Sequence, residues 1–146
     1  MSSSEGAVQW TSRFSCATTR PGSGPWRFRT LDSFNLALEQ HADILEMDIA
    51  MPVDGELFVI HAGMESRLFH ITENVQHLRA EKIHSLEYYT LNHNLSGVFP
   101  NTFDEVLEHF KGKCMLNLDR CWIHPDKSKN RRRYLMQYHG MRWKIR

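Results

Sequence analysis

The segment Asp43-Ile-Leu-Glu-Met-Asp-Ile-Ala50 carries two carboxylates in an otherwise apolar run. Its apolar residues predict a buried β-strand over 44–50, interrupted only by Glu46 and Asp48. Residues two apart on a strand point to the same face, so both carboxylates leave the strand together. A hard cation between them relieves their repulsion, because Mg²⁺ and Ca²⁺ prefer oxygen ligands. A strand with one solvated face is the other interpretation, and the pair alone leaves both open.

Length and composition are those of one globular domain, with 146 residues, 41% hydrophobic and 24% charged. No apolar run reaches the roughly 18 residues of a membrane span. The start of the chain, Met1-Ser-Ser-Ser-Glu-Gly, has no secretory signal pattern. Cys16, Cys114 and Cys121 match no zinc-binding spacing. They predict reduced thiols and hence a cytoplasmic protein.

The charge is distributed unevenly along the chain. Residues 1–123 carry 10 Lys or Arg against 16 Asp or Glu, whereas residues 124–146 carry 8 against one Asp. This shift predicts a basic tail over 124–146 outside the folding unit. No recognised nucleic-acid module surrounds the tail, so nucleic acid is not a predicted partner. Residues 1–29 are rich in Ser, Thr, Gly, Pro and Arg, which predicts a loop-rich N-terminal segment.

Further segments carry local signals of helices and strands. We predict a helix over 31–41, a strand over 57–60, a helix that begins at the capping box Thr102-Phe-Asp-Glu105, and a strand over 114–118. The turn Pro52-Val-Asp-Gly55 joins the first two strands. This order predicts an α/β fold in which helices cover a mostly parallel sheet.

Polar residues follow each predicted strand near its end. Glu46 and Asp48 lie in the later half of the first strand, His61 directly follows the second, and Asp119 closes the third. Because the carboxyl ends of parallel strands meet at one edge, these side chains are expected to converge there. That convergence favours the metal interpretation. Strand alternation places Arg120 on the opposite face from Asp119.

Five segments together resemble the N-terminal half of the glycerophosphodiester phosphodiesterases, over about residues 30–123. They are, in order, Leu31-Asp-Ser-Phe-Asn-Leu-Ala-Leu-Glu39, Ala42-Asp-Ile-Leu-Glu-Met-Asp48, Asp54-Gly-Glu-Leu-Phe-Val-Ile-His61, Asn101-Thr-Phe-Asp-Glu-Val-Leu107 and Gly112-Lys-Cys-Met-Leu-Asn-Leu-Asp119. The resemblance implies a TIM barrel of the phospholipase C-like phosphodiesterase type, here incomplete, with three to four strands and their helices.

The resemblance also implies a chemistry and a set of site residues. Enzymes of this family use a divalent cation, here Mg²⁺ or Ca²⁺, to hydrolyse glycerophosphodiesters to glycerol 3-phosphate and an alcohol in lipid metabolism. By resemblance, Glu46, Asp48 and Asp119 stand at metal-ligand positions, and His61 stands at one of two catalytic histidine positions. No residue is assigned to bind the rest of the substrate.

Two departures from the family pattern limit this expectation. The family's first strand ends in His-Arg-Gly, shortly before a Glu-Asn-Thr that leads into the first helix. Here Phe28-Arg29-Thr30 replaces the latter tripeptide, and no histidine precedes His41. A positioned acid–base group contributes about 10²–10⁴-fold to rate, so a missing histidine predicts little turnover.

Length is the second departure. A complete (β/α)₈ barrel typically has about 250 residues. The 146 residues therefore predict a fragment, or a chain that pairs with a partner chain to complete the barrel. The sequence predicts a weakly active phosphoric diester hydrolase. The alternative is a non-catalytic remnant or binding fragment with a cation site and a basic, anion-binding tail.

Overall fold

A computed structural model describes the backbone of residues 16–18 and the whole of residues 28–120. The predicted basic tail over 124–146 and most of the predicted N-terminal segment 1–29 lie outside this part of the chain. Its strands are β1 (Cys16–Thr18), β2 (Ile44–Ala50), β3 (Phe58–Val59) and β4 (Met115–Asp119). Its α-helices are α1 (Leu31–Glu39), α2 (Glu65–Leu68), α3 (Ala80–His84) and α4 (Phe103–Phe110), and a 3₁₀ helix spans Val75–His77. Within these ranges no helix is long and apolar enough to cross a bilayer.

The sheet is built around β2, whose predicted bounds are confirmed. β1 runs parallel to β2, with Thr18 opposite Glu46 at the end of the register. β4 also runs parallel to β2, and their register ends with Asp48 opposite Asp119. The predicted α/β class is therefore confirmed, and β2 supplies the polar pair from the centre of the sheet.

β3 pairs antiparallel with the end of β2, where Ile49 lies opposite Val59. The cause is the short connection between them. A parallel crossover needs a dozen or more residues, whereas a tight turn reverses the chain. The backbone N–H of Gly55 donates to the Pro52 carbonyl at 3.0 Å, and Gly55 has a φ of 83°, which glycine adopts readily. His61 therefore does not follow a strand that is parallel to β2 and β4.

The strand β1 was not predicted from the sequence. It lies inside the loop-rich segment 1–29 and is three residues long, too short to show a hydrophobic period. Its pairing with β2 joins residues nearly thirty positions apart, a contact that local sequence does not encode.

Two apolar clusters lie on the two faces of the sheet. Leu45, Met47 and Ile49 alternate along β2 and pack with residues of α1 and α4 in the first cluster. Ala50 belongs to the second cluster, which also contains Phe58, Ile60, Phe28 and Tyr88. The alternation places Glu46 and Asp48 on the face away from α1 and α4. Helix packing thus leaves that face available for polar chemistry.

The capping box predicted for α4 is present. The Thr102 hydroxyl accepts a hydrogen bond from the Glu105 N–H at 3.2 Å, and a Glu105 carboxylate oxygen accepts one from the Thr102 N–H at 2.8 Å. We expect Thr102→Ala to lower the free energy of unfolding by about 1 kcal/mol, because it removes a side-chain cap. Urea denaturation measures the change. Thr72→Ala, at an exposed threonine, is the control, and an equal loss in both variants would contradict the capping role.

Candidate active site

The register between β2 and β4 places four polar side chains on one face. Glu46 lies opposite Asn117, and Asp48 lies opposite Asp119. Parallel partners in register point the same way, so all four side chains share the face away from α1 and α4. Leu116 and, partly buried, Leu118 pack into the first cluster, as alternation along β4 requires. The structure thus places the three carboxylates that the sequence singled out on one face of the sheet.

Asp48 is the buried centre of this face, with 3% of its surface exposed. An Arg29 guanidinium nitrogen, Nη1, pairs with Asp48 Oδ2. On the other side, Arg120 Nε lies 3.4 Å from Asp48 Oδ1. The Arg29 side chain is 21% exposed and the Arg120 side chain 37%. Each carboxylate oxygen of Asp48 therefore faces a different arginine side chain.

Electrostatics shows that these groups form one site. Burial lowers the pKa of Arg29 below its ordinary value, while the negative charges of Glu46 and, more weakly, Asp119 act in the opposite direction. Arg120 adds to the lowering, because a second positive charge lies nearby. Three carboxylates and two guanidinium groups therefore interact across this face.

Arg120 reaches Asp48 because β4 ends one residue earlier. The expectation that Arg120 points to the opposite face is wrong, since strand alternation stops at Asp119. Arg120 adopts a left-handed φ of 57°, and its N–H donates to Asp119 Oδ1 at 2.7 Å. Its Nη1 donates to the Ala62 carbonyl at 3.4 Å, which links the end of β4 to the segment after β3.

The His61 imidazole lies in the segment that follows β3. Its Nδ1 lies 3.1 Å from the Ala62 carbonyl. A carbonyl only accepts, so Nδ1 carries the proton and donates, and Nε2 is left as an acceptor. Burial lowers the pKa of His61 below 6.5, and the positive charges of Arg120 and Arg29 lower it further. The imidazole is therefore neutral at pH 7.

Glu65 holds the segment that follows His61. Its carboxylate is buried and accepts hydrogen bonds from the Gly63 N–H at 2.8 Å and the Val75 N–H at 3.0 Å. The Met64 N–H donates to the His61 carbonyl at 3.3 Å, closing a turn. These bonds restrict the backbone that presents His61.

The three carboxylates on this face suit a hard cation in donor type. Across residues 28–120, however, no group of three or more His, Cys, Asp or Glu side chains is arranged to hold a metal ion. Both oxygens of Asp48 instead face guanidinium groups. The three carboxylates fit a cation in donor type and in the direction they point. To bind one, Asp48 must first give up its contacts with Arg29 and Arg120.

Sequence reasoning did not find Arg29, Arg120 or Tyr88 as members of this site. Tyr88 is 1% exposed and stacks against Phe28 with ring centroids 4.7 Å apart, and burial raises its pKa. The one available signal was the replacement of an expected Glu-Asn-Thr by Phe28-Arg29-Thr30, which puts an arginine at the entrance to α1. Nothing in the local sequence marks Tyr88.

The residues of this site lie inside a region that matches a known protein family. The model of the glycerophosphoryl diester phosphodiesterase family matches residues 20–137, a range that extends beyond both ends of the predicted resemblance over 30–123. A curated glycerophosphodiester phosphodiesterase of Haemophilus influenzae is 32% identical over 108 residues. That alignment covers 63% of this chain and 30% of the relative. The chain thus spans about a third of the curated relative's length.

Solved structures give the same result for the fold. A glycerophosphodiester phosphodiesterase from Agrobacterium tumefaciens is 30% identical, with a TM-score of 0.54 over 61% of this chain and 39% of that one. A glycerophosphoryl diester phosphodiesterase from Parabacteroides distasonis is 16% identical, with a TM-score of 0.63 over 78% of this chain and 39% of that one. These likenesses confirm the predicted incomplete TIM barrel, and the four strands of the described residues do not close a barrel.

Proposed function

The chain belongs to the glycerophosphoryl diester phosphodiesterase family, and from that premise we propose that it hydrolyses a glycerophosphodiester at the face around Asp48. The products would be glycerol 3-phosphate and an alcohol. One observation supports the proposal: Glu46, Asp48 and Asp119 share a face of the sheet, and the charges of Arg120 and Arg29, which both contact Asp48, also act on the His61 imidazole. We also propose the cytoplasm as the location and lipid metabolism as the context.

Glu46, Asp48 and Asp119 are the residues that would hold a divalent cation, Mg²⁺ or Ca²⁺. Carboxylate oxygens are the ligands both ions prefer, and alternation along β2 and β4 turns all three to one side. When bound, such a cation supplies positive charge against the phosphate oxygens as negative charge builds up in the transition state.

His61 would act as general base through Nε2. The donation from Nδ1 to the Ala62 carbonyl fixes the tautomer that leaves Nε2 free to accept a proton. The lowered pKa keeps that nitrogen unprotonated at pH 7, so it takes the proton of the attacking water or hydroxyl. Arg120, whose side chain is 37% exposed, would donate to an anionic phosphate oxygen.

Protonation of the leaving alkoxide is the step for which this chain lacks the family's residue. No histidine precedes His41, and β1 ends at Thr18 with Thr19 next along the chain. Loss of one positioned acid costs about 10²–10⁴-fold in rate. We therefore propose slow turnover.

Release of choline from glycerophosphocholine, with Mg²⁺ or with Ca²⁺, tests this function. We expect slow, cation-dependent release that is lost in Asp48→Asn and falls at least about 100-fold in His61→Gln, because the first removes a ligand charge and the second the base. His77→Gln, at an exposed histidine, is the matched control and should keep the wild-type rate. Unchanged release in Asp48→Asn would refute the proposed site.

A second candidate is a non-catalytic domain that keeps the family's fold. The pairing of both Asp48 oxygens with arginines favours it, as does the missing histidine. No choline release from a chain shown to be folded by circular dichroism would select this candidate. The partner chain that would complete the barrel stays a prediction.

A further inference from the structure

We propose that Arg29 competes with the divalent cation for Asp48 and so sets the cation affinity of this site. The inference rests on the proposed function only in placing a cation at Glu46, Asp48 and Asp119. It adds Arg29, which departs from the family pattern, and assigns to it a measurable effect on the affinity for the cation. Arg29 is a positioning residue in this account, since it acts through Asp48.

The ion pair between Arg29 and Asp48 is the first observation. Arg29 Nη1 and Asp48 Oδ2 are both shielded from solvent, and the Asp48 side chain is only 5% exposed. A buried charge is stable only when paired, so in the absence of a cation the guanidinium is the counter-ion that Asp48 needs. The charge of Asp48 is thereby balanced by a residue of the same chain.

The backbone on both sides of Arg29 is anchored. Phe28 is 6% exposed, stacks on Tyr88, and accepts at its carbonyl from the Ser33 hydroxyl at 2.6 Å. After it, the Leu31 N–H donates to Asn101 Oδ1 at 3.1 Å. The chain that carries the guanidinium is therefore held at the site, and only side-chain rotation can take the charge away from Asp48.

A guanidinium and a hard cation oppose each other when both lie against the same carboxylate oxygen. Both are positive, and in a partly buried site their repulsion is much stronger than in water. The cation therefore binds more tightly to the population in which Arg29 has left Asp48, and its apparent affinity falls as that population falls. Arg120 competes less, because its side chain is 37% exposed, against 21% for Arg29, and so interacts more with water.

Calorimetric titration of the full chain with Ca²⁺ and with Mg²⁺, without substrate, tests the competition. We expect Arg29→Gln to bind the cation about tenfold more tightly than the wild type, and Arg120→Gln to show a smaller gain. Arg67→Gln, at an exposed arginine of α2, is the control and should leave the affinity unchanged. Adding Glu46→Gln to Arg29→Gln should remove the gain, which shows that the cation binds at this face.

An Arg29→Gln protein that is folded and binds no more tightly than Arg67→Gln would overturn the proposal. If Arg29→Gln does not fold without a cation, Arg29→Lys replaces it. Lysine keeps the charge but loses the planar fork that fits a carboxylate, so we expect a gain of about threefold. Unchanged affinity in Arg29→Lys would then overturn the proposal as well.

Binding and hydrolysis are read separately. Tighter binding in Arg29→Gln, with no choline release from any variant, would support the competition and reject the proposed activity. Cation-dependent choline release, with unchanged cation affinity in Arg29→Gln, would support the proposed activity and reject the competition.

Discussion

Replacing Asp48 by alanine is expected to destabilise the protein by about 3 kcal/mol, because it leaves the Arg29 guanidinium without its counter-ion. Breaking a buried pair from one side costs about 3–5 kcal/mol. The lower end applies here, since the Arg29 side chain keeps 21% exposure and can reach water after a small rotation. Loss of one partner, not the net worth of the pair, sets this cost.

Urea denaturation of Asp48→Ala, monitored by circular dichroism, measures the change. Glu56→Ala is the matched control, since Glu56 pairs with His84 at 3.2 Å where both side chains are at least 40% exposed. An exposed pair contributes about 0–1 kcal/mol. Combining Arg29→Met with Asp48→Ala should recover part of the loss, because the less exposed of the two guanidinium groups is removed together with its counter-ion. Equal destabilisation in Asp48→Ala and Glu56→Ala would show that Arg29 is not buried against Asp48.

Phe34→Ala is expected to cost about 3–5 kcal/mol in the free energy of unfolding. Phe34 lies in α1, is fully buried, and meets Phe110 of α4 edge to face with ring centroids 6.1 Å apart. Its removal leaves a cavity between α1, α4 and β2, which neighbouring side chains refill only in part. The contact matters for the site because it holds the helices to the apolar face of β2.

The midpoint of urea denaturation should fall in Phe34→Ala while the slope stays the same, since the surface exposed on unfolding barely changes. Phe99→Ala removes the same ring from a position that is 47% exposed and should cost less than about 0.5 kcal/mol. A similar loss in both variants would mean that Phe34 does not pack in the core of the protein in solution.

Part of the candidate site can be predicted from residue patterns, and part of it cannot. Glu46 and Asp48 share a face because strand periodicity is a local property, and the structure agrees with that inference. The predicted direction of the Arg120 side chain is wrong, because alternation holds only inside a strand and β4 ends at Asp119. The sequence indicates Arg29 as a departure from a family motif, but it does not indicate that Arg29 pairs with Asp48.

Residue patterns were enough to predict β2, the turn at Gly55 and the capped start of α4, because hydrophobic period, glycine conformation and capping each depend on neighbouring residues. The charges that meet Asp48 depend instead on long-range packing. Arg29 and Arg120 lie on opposite sides of it along the chain, and each reaches it through the packing of a separate element. Such contacts depend on how strands and helices are placed in space, which short-range patterns do not encode.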